Sequence, residues 1–211
     1  MQVVARDEYI QGLPRKRMAA GVLLRDASNK IVLVEPTYKD TWEIPGGVIE
    51  ADESPWLAAE RELHEELGLV RRDMPVLVVD YVPLAPDGMP EGLLWIFDGG
   101  VLSDAECKEL RGADDEVKSV KLLSIDEAQV LTKESLALRL RVAIKTALEA
   151  QAANAMQPIV CCDRGVPRSQ AWPPSGLAAS EPRDPVAVPW DVLSAPASAG
   201  ASGTGQRSAR N

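Results

Sequence analysis

Seven acidic residues and one arginine crowd into GGVIEADESPWLAAERELHEELGL, residues 46–69. Wound as a helix from Pro55 at about 100° per residue, Glu62, Glu65 and Glu66 stand at i, i+3 and i+4 and share one side. Trp56, Ala59, Leu63 and Leu67 form an apolar stripe on another side, suited to packing on a sheet. Like charges so spaced cost an isolated helix a few tenths of a kcal/mol. Beside a partly buried groove the repulsion reaches about 4 kcal/mol per close pair at an effective dielectric near 20. A hard divalent cation removes that cost, because Mg²⁺ takes carboxylate oxygens together with water and phosphate oxygens. The same three acids on an open face would be an ordinary solvated surface, so the residues around them must decide between the two.

Those neighbours have to position the acids. Ser54-Pro55 supplies an N-cap and a first helical residue, and Gly68 a stop. Upstream, MAAGVLLRD and KIVLVE read as β-strands joined by a hairpin at ASN, and TWEIPGG as a short strand halted by Pro45 and two glycines. Downstream, VLVVDYVPL and LLWIFDGGVL are strands around the turn-rich loop APDGMPEG, and VKSVKLLS is another. Ser124 to Glu127 carries a capping-box pattern opening a second helix. A third runs from Glu134 to about Ala150, with Leu136, Leu140, Ala143, Ile144 and Ala147 at helical spacing. Strands interrupted by helices imply an α/β/α sandwich on a mixed sheet.

Composition changes near residue 151. Half of the sixteen prolines lie in residues 151–211, with Ala, Ser and Gly filling much of the rest. That tail has little to bury and is expected to be disordered. The organisation read from the sequence is therefore an extension over 1–14, a domain over 15–150 and a tail over 151–211. A net charge of -9 argues against a general nucleic-acid binder, which needs a basic face. It leaves nucleotides open as substrates, since a metal ion inverts the local sign of an acidic site. No apolar run nears the roughly 20 residues that cross a bilayer, and the first residues do not resemble a signal peptide. Cys107, Cys161 and Cys162 offer no disulfide framework. The expected location is cytoplasmic, with no membrane partner; a homodimer stays open.

The spacing Gly47, five residues, Glu53, seven residues, then Arg61-Glu62-Leu63-His64-Glu65-Glu66-Leu67-Gly68-Leu69 matches the Nudix box at every specified position. The chain resembles the Nudix hydrolases over about residues 15–150, with the preceding WEIPGG and the strand order in keeping. The resemblance implies the Nudix α/β/α fold and a Mg²⁺- or Mn²⁺-dependent pyrophosphohydrolase acting on a small-molecule nucleotide. It implies that Gly47 offers its carbonyl to the metal and that Glu62 and Glu66 are principal ligands. Glu65 would be a further ligand or hold a water. Arg61 and Glu53 resemble the pair that braces loop against helix. The general base is not set by the box; Glu65 and the downstream acids Asp114, Asp115 and Glu116 are the candidates.

Substrate contacts are sought in Trp42, Trp95, Tyr38 and Tyr81, since base-aromatic stacking is worth about 1–3 kcal/mol, and in Arg17 of the basic cluster Arg15-Lys16-Arg17. Each aromatic also lies in or beside a strand, where packing would explain it equally. Relatives that cleave ADP-ribose carry a proline where this chain has Ala85, and dinucleoside-polyphosphate relatives a tyrosine where it has Asp87. The pattern of coenzyme A-cleaving relatives is absent. The leading expectation is cleavage of a nucleoside diphosphate linked to another group. The alternatives are an oxidised-triphosphate hydrolase acting on 8-oxo-dGTP, a non-catalytic nucleotide sensor, and an isomerase on a related fold.

Overall fold

Strand β1 (Arg17–Arg25) is the axis of the molecule in a computed structural model that describes residues 5–154 and 159–168. Its side chains alternate strictly, Ala20, Val22 and Leu24 entering one core and Leu23 the other, as a strand buried on both faces requires. After the turn at residues 26–30 the chain returns as β2 (Ile31–Pro36), antiparallel to β1 only at Arg25 and Ile31. The rest of that edge of β1 is taken by β3 (Gly46–Val48), through Ala19 with Val48, Ala20 with Gly47, and Gly21 with Gly46. One strand edge thus serves two partners, and the double-glycine loop is held against the middle of the sheet.

On its other edge β1 runs parallel to β5 (Gly92–Val101), which pairs antiparallel with β4 (Val76–Val82). β6 (Val117–Leu123) adds to β2. With the C-terminal β7 (Val160–Asp163) and β8 (Val166–Pro167), the order is β6-β2-β1-β5-β4-β7-β8, and β3 lies off the path on β1. The sheet is mixed, as expected.

Helix α2 (Pro55–Leu67) covers one face, burying Ala58, Ala59, Leu63 and Leu67 against Ala20, Val22 and Phe97. Helices α4 (Ile125–Leu131) and α5 (Glu134–Ala153) cover the other, with Ala128, Leu140, Ala143 and Ala147 in a second core around Leu23, Ile31 and Leu77. The three layers of the α/β/α sandwich follow. Two further helices escaped the sequence reading: α1 (Arg6–Gly12), which buries no residue, and α3 (Asp104–Glu109). The second was legible, because Ser103 and Glu106 form a capping box of the same kind as Ser124 and Glu127.

Regular structure continues past residue 151. α5 continues to Ala153, and β7 pairs in parallel with β4 from Val78 to Tyr81. A composition shift marks where apolar density falls, not where pairing stops. Four residues suffice for β7 because the edge of β4 supplies its hydrogen bonds and Cys162 fills the core beneath. Trp172 and Trp190 lie outside the described residues.

Candidate active site

Helix α2 starts and stops as its sequence dictates. The Ser54 hydroxyl accepts from the Leu57 N–H at 3.3 Å, Pro55 opens the helix, and Gly68 closes it at φ +67°. The loop before it is shaped by two glycines. Gly46 sits at φ +148°, where an added Cβ would lie 2.2 Å from the Ala20 carbonyl oxygen. At Gly47 the obstacle is the site itself: a Cβ would stand 2.3 Å from Glu62 Oε1. No side chain fits between β3 and that carboxylate.

Three of the glutamates differ in what holds them. Glu62 is mostly buried and accepts from Arg61 Nη1 at 2.8 Å. Burial raises its carboxyl above the ordinary value, and Arg61 offsets only part of that. Glu65 is half-exposed and accepts from the same Nη1 at 3.0 Å. Glu66 accepts from the Gly46 N–H at 2.9 Å, a contact that reading Gly47 alone had missed. Burial pushes its carboxyl up to about 8; Gly46 lowers it, while the negative charges of Glu62, Asp114 and Glu116 raise it further.

Arg61 is the brace. Its Nε and Nη2 reach Glu53 Oε1 and Oε2 at 2.8 and 3.0 Å, a two-pronged pair, and Nη2 also donates to the Val48 carbonyl at 3.2 Å. Glu53 in turn accepts from the Glu50 N–H, and Arg61 draws its carboxyl below the usual range. One guanidinium therefore joins β3, the approach loop and the glutamate face of α2.

The acids after α3 are brought to the same place. The Ala113 N–H donates to the Glu66 carbonyl at 2.8 Å, anchoring this loop on the end of α2. Asp114 accepts from the Glu116 and Val117 N–H groups and shapes the turn into β6. Glu116 is exposed and acts on both Glu62 and Glu66 through its charge. Gly47, Glu53, Arg61, Glu62, Glu65, Glu66 and Glu116 thus form one neighbourhood.

Other candidates are placed elsewhere. Trp42 is 6% exposed in the core on the α5 side, with Lys121 Nζ 4.6 Å above its ring. Strand-like alternation sends Trp42 and Ile44 inward together, so Trp42 is core rather than a stacking surface. Arg17 donates to the Pro90 carbonyl at 2.7 Å and follows the side of β1 that carries Leu23, away from the glutamates. Lys16 pairs with Glu91 at 2.5 Å. Tyr38 is exposed beside Lys39. Trp95 alone of the three substrate candidates lies on the α2 face, half-buried against its core. His64 is exposed on α2.

Among the described residues no three His, Cys, Asp or Glu side chains converge closely enough to hold a metal ion in this arrangement. The donor chemistry nevertheless suits a hard cation. Four carboxylates lie in mutual electrostatic range, one of them pushed up to about 8, and Gly47 leaves its backbone open beside Glu62.

The NUDIX domain pattern matches residues 15–144. The chain belongs to the Nudix family. Among curated proteins it is similar to an RNA pyrophosphohydrolase of Pseudomonas fluorescens (strain SBW25), 36% identical over 61 residues. That match spans 29% of this chain and 38% of the relative, so well under half of the relative's length is shared. A MutT-like protein of Streptomyces ambofaciens is 40% identical over 50 residues, 24% of this chain and 32% of that one. Among solved structures, the NUDIX domain of Shewanella oneidensis NrtR, crystallised with ADP ribose, superposes with a TM-score of 0.53 at 17% identity, covering 69% of this chain and 99% of that domain. A MutT NUDIX hydrolase from Burkholderia pseudomallei gives 0.50 at 20% identity, covering 63% and 98%. At these identities the structural likeness concerns the fold.

Proposed function

We propose that this Nudix chain hydrolyses a phosphoanhydride of a small nucleotide, a nucleoside diphosphate linked to another group, with Mg²⁺ or Mn²⁺ held by Glu62, Glu65, Glu66 and the Gly47 carbonyl. The observation that carries the reading is Glu66: a half-buried carboxyl with a backbone N–H as its hydrogen-bond donor, raised to about 8 amid further acids. Such an arrangement costs stability unless something positive joins it.

A diphosphate resists hydrolysis because its charge repels a nucleophile. A divalent cation supplies charge neutralisation and lowers the pKa of water. The chain's residues do the rest. Arg61 and Glu53 hold Glu62 and Glu65 in place on the helix, and Gly46 orients Glu66. Glu116, exposed at the rim, takes the proton from the attacking water, which displaces a phosphoryl leaving group in line. Glu65 is the second candidate for that proton, and its pairing with Arg61 makes it the poorer base. The named relatives favour nucleotide anhydrides of several kinds, and the net charge of -9 favours a small substrate over an RNA end.

The test offers ADP-ribose, a nucleotide sugar, 8-oxo-dGTP and a 5′-triphosphorylated RNA side by side, with and without Mg²⁺, and identifies products by mass spectrometry. Metal-dependent monophosphate release from the first two is expected. No cleavage of any anhydride would return the chain to the nucleotide-sensor reading. No helix among the described residues is long and apolar enough to cross a membrane.

A further inference from the structure

The loop that joins α3 to β6, residues 110–116, is fastened at several points. At Gly112 its two arms touch: an added Cβ would stand 2.8 Å from the Val117 carbonyl oxygen and 2.9 Å from Val117 Cγ1, so no larger residue closes the turn this tightly. The Ala113 N–H, on Glu66 of the last turn of α2, docks the loop there. Oδ1 of the half-buried Asp114 accepts from the Glu116 and Val117 N–H groups, each at 3.1 Å. The Glu116 carbonyl accepts from the Thr37 N–H at 2.8 Å, just beyond the end of β2. Val117 is buried in the core that also holds Leu63 and Leu67 of α2. Val117 and Lys118 together oppose the single residue Pro36, the pattern of a β-bulge. Such a bulge bends a strand and re-aims the side chains beside it.

The backbone of Glu116 is thus held on both sides of its Cα, by Asp114 at the N–H and by Thr37 at the carbonyl, while its side chain is exposed. An Asp carboxylate reaches the N–H two residues on, the geometry of an Asx turn. A side chain one methylene longer overshoots it. Both backbone donors meet the same oxygen of Asp114, whereas the Glu116 carboxylate stands at the rim, where water reaches it. Glu66 feels the charge of both acids, which places the loop beside the proposed cation site. A base carried on a loop fixed in this way is in place before the substrate arrives, and orientation settled beforehand removes a large part of a barrier.

We propose that Asp114 is a positioning residue: its carboxylate holds the Glu116 and Val117 N–H groups, and so maintains a preformed loop that aims Glu116 at the attacking water, without taking a proton itself. The proposal rests on the hydrolase reading for the task of Glu116, but the anchoring can be measured without catalysis. What the turn needs from residue 114 is a short acceptor, not a negative charge.

Two variants separate acceptor from charge. Asp114→Asn keeps an oxygen in the same place and loses the charge; Asp114→Glu keeps the charge and moves the oxygens out by one methylene. Steady-state hydrolysis in Mg²⁺ by the full chain is followed on ADP-ribose, or on whichever offered anhydride it cleaves fastest. Asp114→Glu should lower kcat about 10–100-fold, the scale of a misplaced reacting group, with KM little changed. Asp114→Asn should retain most of kcat. In a Glu116→Gln background, Asp114→Glu should lower kcat little further, since the effects of residues that act through one another do not add. Amide hydrogen exchange, read by NMR, gives a measurement independent of turnover. The Glu116 N–H should be protected in the unaltered chain and in Asp114→Asn, and should exchange faster in Asp114→Glu. Asp114→Asn as impaired as Asp114→Glu, losses that add to those of Glu116→Gln, or protection that ignores residue 114 overturns the proposal. Protection that follows residue 114 in a chain that cleaves no anhydride would instead sink the hydrolase reading alone.

Discussion

The two faces of the sheet treat buried charge in opposite ways. On the α5 face each buried acid meets an arginine. Asp80, with no exposure, accepts from Arg139 Nε at 2.5 Å and from the Gly165 N–H at 3.0 Å; Asp98 accepts from Arg25 at 3.3 Å. On the α2 face Arg61 is committed to Glu53, Glu62 and Glu65, and Glu66 accepts from a backbone N–H. The first arrangement closes the charge balance within the chain and holds β4, α5 and the C-terminal hairpin together. The second leaves a deficit of positive charge, which is what a cation site needs and what a purely structural site would avoid. Buried carboxylates alone do not mark function; their missing counter-charge does.

That contrast can be broken most severely at Asp80. Asp80→Ala leaves Arg139 buried without its acid, so urea unfolding should show a loss of about 3–5 kcal/mol. Activity per folded molecule should persist, because the pair lies on the other side of the sheet. Glu66→Gln should do the reverse. It replaces a half-buried acid that has no counter-ion by a neutral amide and should leave the melting temperature equal or higher, while kcat/KM falls about 10²–10³-fold. A Glu66→Gln enzyme with ordinary activity would dissolve the distinction between the two faces.

Gly47→Ala should sharpen it. The new methyl meets Glu62 Oε1 and must displace either the loop or the carboxylate. Activity should drop about 10–100-fold, the scale seen when groups supporting a metal site are disturbed, with an unaltered circular dichroism spectrum. The smallest effect is expected at Glu106, whose carboxyl is drawn down to about 2 by the Ser103 backbone N–H and by Arg71. A folded pKa below the ordinary one means that this support is complete at neutral pH and is lost as the pH falls from about 4.5 towards 2. Glu106→Gln should cost about 1 kcal/mol at pH 7, in the range of a lost helix cap. In acid urea series the difference from the unaltered chain should vanish.

Much of this was visible without coordinates, for reasons particular to each element. Ser54, Pro55 and Gly68 act locally, so α2 could be bounded to the residue. Glu62, Glu65 and Glu66 share a face by helical geometry alone. Other elements depend on partners distant in the chain. β7 is four residues long and exists because β4 offers an edge, and nothing in VCCD announces that. Trp42 and Trp95 are alike as sequence, each an indole in a strand; only the sheet sends one into the α5 core and the other to the α2 face. Residues 169–211, where most of the expected tail falls, lie outside the described residues.

Short-range order was the chain's own to specify: caps, strand alternation, and the run of acids with its one arginine, each set by contacts within a few residues. Tertiary structure alone decided which acid went without a counter-ion. Whether a carboxylate ends beside Arg139, Arg61 or a glycine N–H depends on how separate segments meet across the sheet, and charge balance in a low-dielectric interior is fixed by those meetings.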